Sequence, residues 1–326
     1  MAQVLKASEE NLKRAAEIIR KGGLVAFPTE TVYGLGGDAF NPDAVARIFE
    51  IKERPTFDPI IVHITDFDDI KRLCREIDER AKILAEKFWP GPLTMILKKS
   101  EKVPDIVTAG LDTVAVRMPS HPVARKLIEY SKTPIAAPSA NLFGKLSPTT
   151  AEHVKEQLGE RIDMIIDGGK CPVGVESTVI DLSVDPPVIL RLGGTPAEEI
   201  EKVIGKVSFI HRSDEPKSPG QLKKHYSPRT PLRIIRGEID VRYEERAGLL
   251  AFKRPDDETA RKFEKIEVLS SSDDLNEALR QAAQNLFSAL HRLDHAGLDI
   301  IYAEPVPEIG LGRAIMDRLR KAEGMG

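Results

Sequence analysis

Two short polar segments carry the residue types that could hold a polyphosphate. Lys52-Glu53-Arg54 sets two cations close together, and Ser139-Ala140-Asn141 offers a hydroxyl and an amide in a distant part of the chain. Cations, hydroxyl groups and backbone N–H groups are the partners that phosphate oxygens take. The loops around these segments are rich in Gly, Pro, Ser and Thr, over residues 28–37, 137–141, 147–150 and 174–178. The pattern predicts a nucleotide-handling enzyme that has no P-loop.

Each segment also has a simpler interpretation. Lys52 and Arg54 follow the amphipathic pattern that begins at Asn41-Pro42, so they could end a solvated helix, as many surface charges do. Ser139-Ala140-Asn141 follows an apolar run and could be an ordinary polar turn. The residues alone leave both alternatives open.

The composition limits the class of protein. The chain has 326 residues, of which 41% are hydrophobic, which is enough for one large domain or two ordinary ones. A formal net charge of -3 and only 5% aromatic residues argue against a general nucleic-acid binder. Residues 1–6 contain no apolar signal segment, and no run approaches the roughly 20 apolar residues of a membrane helix. The two cysteines, Cys74 and Cys171, form no C-x-x-C, so we expect a cytoplasmic protein with no membrane contact.

Alternating apolar runs and helical patterns predict a mixed, twisted α/β sheet with helices packed on it. Residues 28–37 are expected to form a loop after a short buried strand at 24–27. Further strands are predicted at 60–64, 93–97, 114–117, 134–137, 164–166, 178–182 and 188–192.

The pattern changes after residue 210. Pro216, Pro219, Gly220, Pro228 and Pro231 interrupt any regular element, which predicts a semi-rigid linker over residues 211–231 that could act as a lid. Strands at 232–235, 248–252, 266–269 and 300–303 then alternate with a long helix from Asp274, as in a small parallel α/β, Rossmann-like domain. The predicted organisation is therefore a catalytic domain at 1–210, the linker, and a second domain at 232–326.

An ordered series of motifs resembles the threonylcarbamoyl-adenylate synthase family, which is built on the YrdC-like domain. No single motif is specific for this family, but the order of the motifs over two-thirds of the chain is specific for it. The linker and the trailing α/β domain are similar to the long, two-domain form of that family. The motifs are Pro28 to Gly36, Lys52-Glu53-Arg54-Pro55, Phe88 to Thr94, Val116 to Pro119, Pro138 to Asn141, Asp167-Gly168-Gly169 and Gly174 to Asp181.

The resemblance implies a reaction in which L-threonine, bicarbonate and ATP give L-threonylcarbamoyl-AMP and pyrophosphate. A separate tRNA threonylcarbamoyl transferase machinery would then pass the group to adenosine 37 of certain tRNAs. The resemblance leaves open whether this chain itself touches tRNA. Mg²⁺ is expected to enter with ATP, held largely by phosphates and water. Its protein ligands are unknown; Glu176 is the best acidic neighbour, although a capping or ion-pair role fits it equally well.

The residues and the resemblance together give a candidate nucleotide site. Lys52 and Arg54 are the candidates for catalysis, because a point charge and a planar fork could hold the triphosphate and offset charge on the leaving group. The remaining ATP contacts are carried over from the family: Thr113, Ser139, Asn141, Ser147, Arg191 and Tyr226.

Arg117 is the candidate partner of the threonine carboxylate. It ends a strand between Val116 and Met118, and its fork suits bidentate recognition of a carboxylate. His63 follows an apolar run and could equally be a packed structural histidine. The resemblance implies the rest of the amino-acid pocket, namely Thr31, Tyr33, His63, Ala137 and Ser177.

Two other functions compete with this one. The hydrogenase-maturation carbamoyltransferases share the core domain, but the acylphosphatase segment and paired C-x-x-C motifs that they carry have no counterpart in this sequence. A non-enzymatic RNA-binding module is the second alternative, which the low aromatic content disfavours.

Overall fold

The structure is a computed structural model that describes residues 2–209, 226–237, 241 and 245–324. The chain forms two compact units. The first takes in the described residues of 1–143, 147–172 and 176–222, and the second those of 144–146, 173–175 and 223–326. Residues 211–225 of the expected linker and lid lie outside the described residues, and residues 226–231 are described as bends and irregular chain.

The first unit holds an eleven-stranded mixed sheet, in the order β1-β8-β2-β3-β7-β4-β6-β5-β9-β10-β11. Parallel pairs such as β4–β6 and β5–β9 alternate with antiparallel pairs such as β5–β6 and β9–β10. The mixed α/β architecture predicted from the sequence is therefore confirmed. The strands are β1 Gln3–Lys6, β2 Val25–Pro28, β3 Tyr33–Asp38, β4 Ile61–His63, β5 Leu93–Lys98, β6 Thr113–Arg117, β7 Ile135–Ala136, β8 Met164–Asp167, β9 Thr178–Asp181, β10 Val188–Arg191 and β11 Ser208–Phe209.

Helices cover this sheet. Helix α2 begins where the sequence predicts, because the Asn41 side chain accepts from the N–H groups of Asp43 and Ala44 and Pro42 takes the first turn. It ends at Lys52, and Glu53 follows with φ 54° in the left-handed region. The helices are α1 Glu9–Arg20, α2 Pro42–Lys52, α3 Ile70–Leu73, α4 Glu79–Phe88, α5 Asp105–Thr108, α6 Pro122–Ser131, α7 Ala151–Leu158 and α8 Ala197–Ile204, with a 3-10 turn at Phe67–Asp69.

The expectation of a loop over residues 28–37 is wrong for its second half, which forms strand β3. Glycines weaken a strand unless neighbouring groups need the space that they leave. Here a Cβ on Gly36 would lie 2.6 Å from the Phe27 ring and 2.7 Å from Ile135. Close packing therefore explains the glycines, and only residues 29–32 remain a turn.

One face of the sheet carries a small apolar cluster that forms the floor of the candidate site. Side chains alternate between the faces of a strand, so His63 shares a face with Ile61 on β4, and Arg117 and Thr113 share a face with Ala115 on β6. His63 and Arg117 are also direct neighbours in the β4–β6 register. The buried members of the floor are Ile61, Ile96, Ala115, Val179 and Leu190.

The second unit is a four-stranded sheet in the order β12-β15-β13-β14, with every pair parallel. It is built from β12 Leu232–Ile234, β13 Ala247–Ala251, α9 Asp257–Ala260, β14 Lys265–Val268, α10 Leu275–Asp294, β15 Ile300–Ala303 and α11 Leu311–Glu323. The side chain of Asp274 caps α10 by accepting from the N–H of Glu277 at 2.8 Å, as its sequence predicts. Within the described residues, no helix has the length and apolar character of a membrane span.

Candidate active site

Lys52 is buried, with 1% of its surface exposed, so the solvated alternative for this cluster is wrong. Its ammonium donates to the carbonyl oxygens of Ser139 and Asn141, which ties the end of α2 to the distant Ser-Ala-Asn turn. Burial lowers the pKa of Lys52 well below its usual value, and the positive charge of Arg54 lowers it further. Two of the segments singled out in the sequence are thus joined by one buried amine.

Arg54 lies in the same buried cluster. Its guanidinium donates to the carbonyl oxygens of Asp58 and Pro59 and lies 2.9 Å from the Asp58 carboxylate. Burial raises the pKa of Asp58, and the positive charges of Arg54, Arg191 and Lys52 each oppose that rise. Asp58 therefore pairs with Arg54 and lies within the electrostatic influence of two further basic side chains, Arg191 and Lys52.

Arg191 connects this cluster to Ser177, the residue that precedes strand β9. Its guanidinium donates to the carbonyl oxygen of Ser177, at 3.0 and 2.9 Å, and to the Ser177 hydroxyl at 3.0 Å. That hydroxyl lies 2.7 Å from the hydroxyl of Thr94 on β5. Ser177, predicted for the amino-acid pocket, is held by an arginine predicted for the nucleotide.

The other predicted hydroxyl and amide groups come from the turn that Lys52 holds and from the segment that follows it. Ser139 is half-buried and forms a β-bridge with Gly34. The Asn141 amide donates to the Leu142 carbonyl at 2.8 Å. The buried Ser147 hydroxyl donates to the Glu176 carboxylate at 2.5 Å, which gives Glu176 a structural partner.

Arg117 is 4% exposed, and three segments hold its guanidinium. Nη1 donates to the Thr31 hydroxyl at 3.0 Å, Nε donates to the Gly91 carbonyl at 3.4 Å, and Nη2 lies 2.6 Å from the Glu30 carboxylate. Apart from that ion pair, Nη2 has no hydrogen-bond partner among the described residues, although it carries two N–H groups. A donor therefore remains for a ligand.

His63, next to Arg117 across β4 and β6, is 3% exposed. Burial lowers its pKa to about 3, and the positive charge of Arg117 contributes to that shift. The imidazole is therefore neutral at physiological pH. Its Nδ1 has no hydrogen-bond partner within the part of the chain that the structure describes.

Of the remaining members of the predicted amino-acid pocket, Thr31 contacts Arg117 directly, and Ala137 and Tyr33 have other partners. The Thr31 hydroxyl lies 2.8 Å from that of Thr29, and Ala137 donates its N–H to the Ile61 carbonyl. The Tyr33 hydroxyl donates to the Gly169 carbonyl at 2.8 Å, and burial raises its pKa. Tyr33 thus fixes the Asp167-Gly168-Gly169 loop, so its hydroxyl already has a structural partner.

The other two predicted ATP-binding residues are Thr113 and Tyr226. Thr113 is at the start of β6, four residues and about 13 Å from Arg117 on the same face. Tyr226 belongs to the second unit, where its ring lies 5.7 Å from the Phe287 ring and 5.0 Å from the Arg318 guanidinium. Contact of either residue with ATP stays a prediction.

Sequence reasoning missed two buried carboxylates, Asp58 and Glu30. Asp58 follows Arg54 by four residues, a spacing at which opposite charges often pair, so this partner is visible in the sequence. Glu30 lies 87 positions before Arg117, and no sequence spacing could indicate that pair.

Two protein-family models match this chain, and together they cover most of it. A model of the Sua5/YciO/YrdC family, described as "Telomere recombination", matches residues 17–193. A second, described as "Threonylcarbamoyl-AMP synthase, C-terminal domain", matches residues 195–324.

Curated and solved relatives extend over nearly the whole chain. Threonylcarbamoyl-AMP synthase of Pyrococcus abyssi is 50% identical over 98% of this chain and 96% of its own length. The enzyme of that name from Bacillus subtilis is 44% identical over 98% and 95%. The crystal structure of Pyrococcus abyssi Sua5 complexed with L-threonine superposes with a TM-score of 0.91 and 46% identity, and covers 100% of this chain and 98% of that one. The chain therefore belongs to the threonylcarbamoyl-AMP synthase family of enzymes.

Proposed function

We propose that this enzyme forms L-threonylcarbamoyl-AMP and pyrophosphate from L-threonine, bicarbonate and ATP, for modification of adenosine 37 in tRNA. The family membership supports the reaction class, and the Pyrococcus abyssi relative was solved with L-threonine.

The observation that carries the proposal is the pair of incompletely partnered polar groups at the ends of β4 and β6. Arg117 Nη2 and His63 Nδ1 are buried, and in the described residues Nη2 has only Glu30 beside it while Nδ1 has no partner. A buried polar atom without its full set of partners costs about 1–3 kcal/mol, so such atoms are uncommon without a role. An amino acid offers what this pair needs, because its carboxylate suits the arginine and its hydroxyl or amine suits a neutral imidazole.

The cluster of Lys52, Arg54 and Arg191 supplies positive charge for the triphosphate. Each of these side chains already holds a backbone carbonyl, so their positions are fixed before a nucleotide arrives. Donors that are fixed in advance need no reorganisation as charge develops on the leaving group. Lys52 contributes in a second way, because it also holds the Ser139–Asn141 turn that we assign to the nucleotide.

The chemistry then needs alignment more than an enzyme nucleophile. The threonine amine and bicarbonate condense to a carbamate with loss of water. A carbamate oxygen attacks the α-phosphorus of ATP, the bond from that phosphorus to the bridging oxygen breaks, and pyrophosphate leaves. Neither cysteine competes as nucleophile, because both are buried and burial raises the pKa of Cys171 and raises that of Cys74 to about 12.

Mg²⁺ fits this scheme as a companion of the ATP phosphates. Three buried carboxylates lie near the site, and each already has a partner: Asp58 with Arg54, Glu30 with Arg117, and Glu176 with Ser147. We therefore assign the ion to the substrate, with phosphate oxygens and water as its main ligands.

Of the two competing functions, the carbamoyltransferase alternative is disfavoured by the second unit. Residues 195–324 match the C-terminal domain of threonylcarbamoyl-AMP synthases. Among the residues that the structure describes, no feature supports the RNA-binding alternative as the buried pair at Arg117 and His63 supports the synthase.

The test is mass spectrometry of the products formed from ATP, Mg²⁺, threonine and ¹³C-labelled bicarbonate, with each component omitted in turn. We expect an adduct of AMP and threonine that carries the label and forms together with pyrophosphate. Activity with carbamoyl phosphate in place of threonine and bicarbonate would favour the carbamoyltransferase. Salt-sensitive tRNA binding without ATP consumption would favour the RNA-binding module.

The place of this product in the cell is also a proposal. A mixed anhydride of a carbamate and AMP is an activated acyl donor, so a transferase that acts on the adenosine amine must consume it. We place this step in the cytoplasm, in line with two reduced, buried cysteines. Added transferase and tRNA should raise the rate of ATP consumption if the product is passed on.

A further inference from the structure

The sequence motif around residue 30 contains a buried carboxylate that neither the resemblance nor the predicted site assigns. Glu30 is 3% exposed and lies in the turn between β2 and β3. One of its oxygens accepts from the N–H of Ser120 at 3.1 Å, and the other lies 2.6 Å from Arg117 Nη2. We infer that Glu30 is a positioning residue for the amino-acid substrate, which it serves by fixing the guanidinium of Arg117. The inference rests on the proposed function.

The geometry of Arg117 supports this role. A free arginine side chain has many rotamers, and ordering it for a ligand costs free energy at the moment of binding. Here Thr31, Gly91 and Glu30 engage Nη1, Nε and Nη2, so the plane of the guanidinium is set from three segments. Of these partners only Glu30 is charged.

The anchoring of Glu30 explains why it can act in this way. Because Ser120 lies three residues after Arg117, its backbone N–H fixes the carboxylate to the segment that follows β6. The second oxygen then faces Arg117 Nη2 and uses at most one of its two N–H groups. The N–H that remains is the donor that we assign to the substrate carboxylate.

In this arrangement the carboxylates of Glu30 and of the substrate bind different N–H groups of the Arg117 guanidinium, so both can be bound at once. Glu30 keeps a buried guanidinium from being an uncompensated charge when the site holds no amino acid. It leaves one N–H of Arg117 Nη2 without a partner among the described residues, on the strand residue that pairs with His63 in the β4–β6 register. Loss of Glu30 should therefore raise the KM for threonine more than the KM for ATP.

The test is steady-state kinetics of Glu30→Gln and Glu30→Asp, with threonine and ATP varied separately. We expect the KM for threonine to rise about tenfold in E30Q, with the KM for ATP changed less than about twofold. Equal changes in both KM values, or an unchanged KM for threonine, would overturn the inference. If E30Q does not fold, E30D decides by the same criteria, because it keeps the charge but withdraws the carboxylate from Nη2.

A matched control and a double-mutant cycle separate positioning from stability. Glu323 in the second unit also accepts from a backbone N–H, that of Ile234, and pairs with an arginine, Arg236. E323Q should lower the melting temperature without altering the KM for threonine. Since Glu30 acts through Arg117, E30Q should raise the KM for threonine far less in an Arg117→Lys background than in the wild type, and full additivity would refute the role. Failure of the wild type to form the labelled product would instead reject the proposed function.

Discussion

Each half of the candidate site contains a buried arginine paired with a buried carboxylate, and the two pairs differ in the sequence distance between their members. On the nucleotide side, the buried Arg54 pairs with Asp58, four residues later. On the amino-acid side, the buried Arg117 pairs with Glu30, 87 positions earlier. The first pair organises one loop, whereas the second joins the turn before β3 to the end of β6. The comparison indicates that the Arg54–Asp58 pair forms within one loop, whereas the Arg117–Glu30 pair forms only when the sheet is complete.

The largest effect that would test this contrast is expected for Arg117→Met. Removing the arginine leaves Glu30 as a buried carboxylate without its cation, which costs about 3–5 kcal/mol of stability. The substrate carboxylate also loses a charge-assisted hydrogen bond, so kcat/KM for threonine should fall about 100-fold or more. Thermal melts and threonine titrations measure the two effects. The double variant E30Q/R117M should regain stability but not activity, and recovery of activity would contradict the role of Arg117.

Lys52→Met should give the next largest effect, because Lys52 belongs to the nucleotide side yet holds distant carbonyls. The Ser139 and Asn141 carbonyl oxygens lose their donor, at about 1–3 kcal/mol each, partly offset because a costly buried amine is removed. We expect a strong fall in kcat with a smaller change in the KM for threonine. Initial rates at saturating threonine provide the measurement. Unchanged turnover would show that the Ser139–Asn141 turn does not need this anchor.

The pH dependence of stability should report His63, on the amino-acid side. The pKa of His63 in the folded chain is about 3, below its ordinary value of 6.5, so the unfolded chain binds more protons between these limits. Stability from this group is complete above pH 6.5 and falls as the pH drops toward 3. At pH 5 the loss is about 2 kcal/mol. Chemical denaturation of wild type and His63→Asn at pH 7 and pH 5 should show a smaller loss in the variant, and parallel losses would disprove the assignment.

Asp58→Asn should give the smallest change in kinetics. It tests most directly whether the nucleotide side and the amino-acid side act separately. The amide keeps the shape of the side chain but removes the negative charge among Lys52, Arg54 and Arg191. Since backbone carbonyls still hold Arg54, we expect only about a fivefold rise in the KM for ATP, near 1 kcal/mol. The KM for threonine serves as the internal control and should stay constant. A larger effect on threonine than on ATP would mean that the two sides are not separate.

Local sequence predicted those parts of the structure that depend on neighbouring residues. The Asn41 and Asp274 caps and the strand Ile300–Ala303 follow from cap chemistry and apolar patterns, and all are confirmed. Helix α2 was expected to include Arg54, but it ends at Lys52 because Glu53 takes the left-handed conformation. Strand β3 was missed because its glycines make sense only beside Phe27 and Ile135, which the sheet brings close. Helix α11 was missed as well: Gly310 gives it no side-chain cap.

In the candidate site, too, some features follow from local sequence and others only from the tertiary structure. Sequence by itself determined the chemical groups: the cations, the hydroxyl-rich turns and the arginine at the end of β6. Only the tertiary structure decided their partners, since Lys52 meets Ser139 and Arg117 meets Glu30 through sheet neighbours far apart along the chain. The physical reason is that a buried charge must be compensated by whatever group the fold brings within about 3 Å. Composition and spacing specify which charges exist, and the closed sheet specifies what neutralises each one and which donor is left for a substrate.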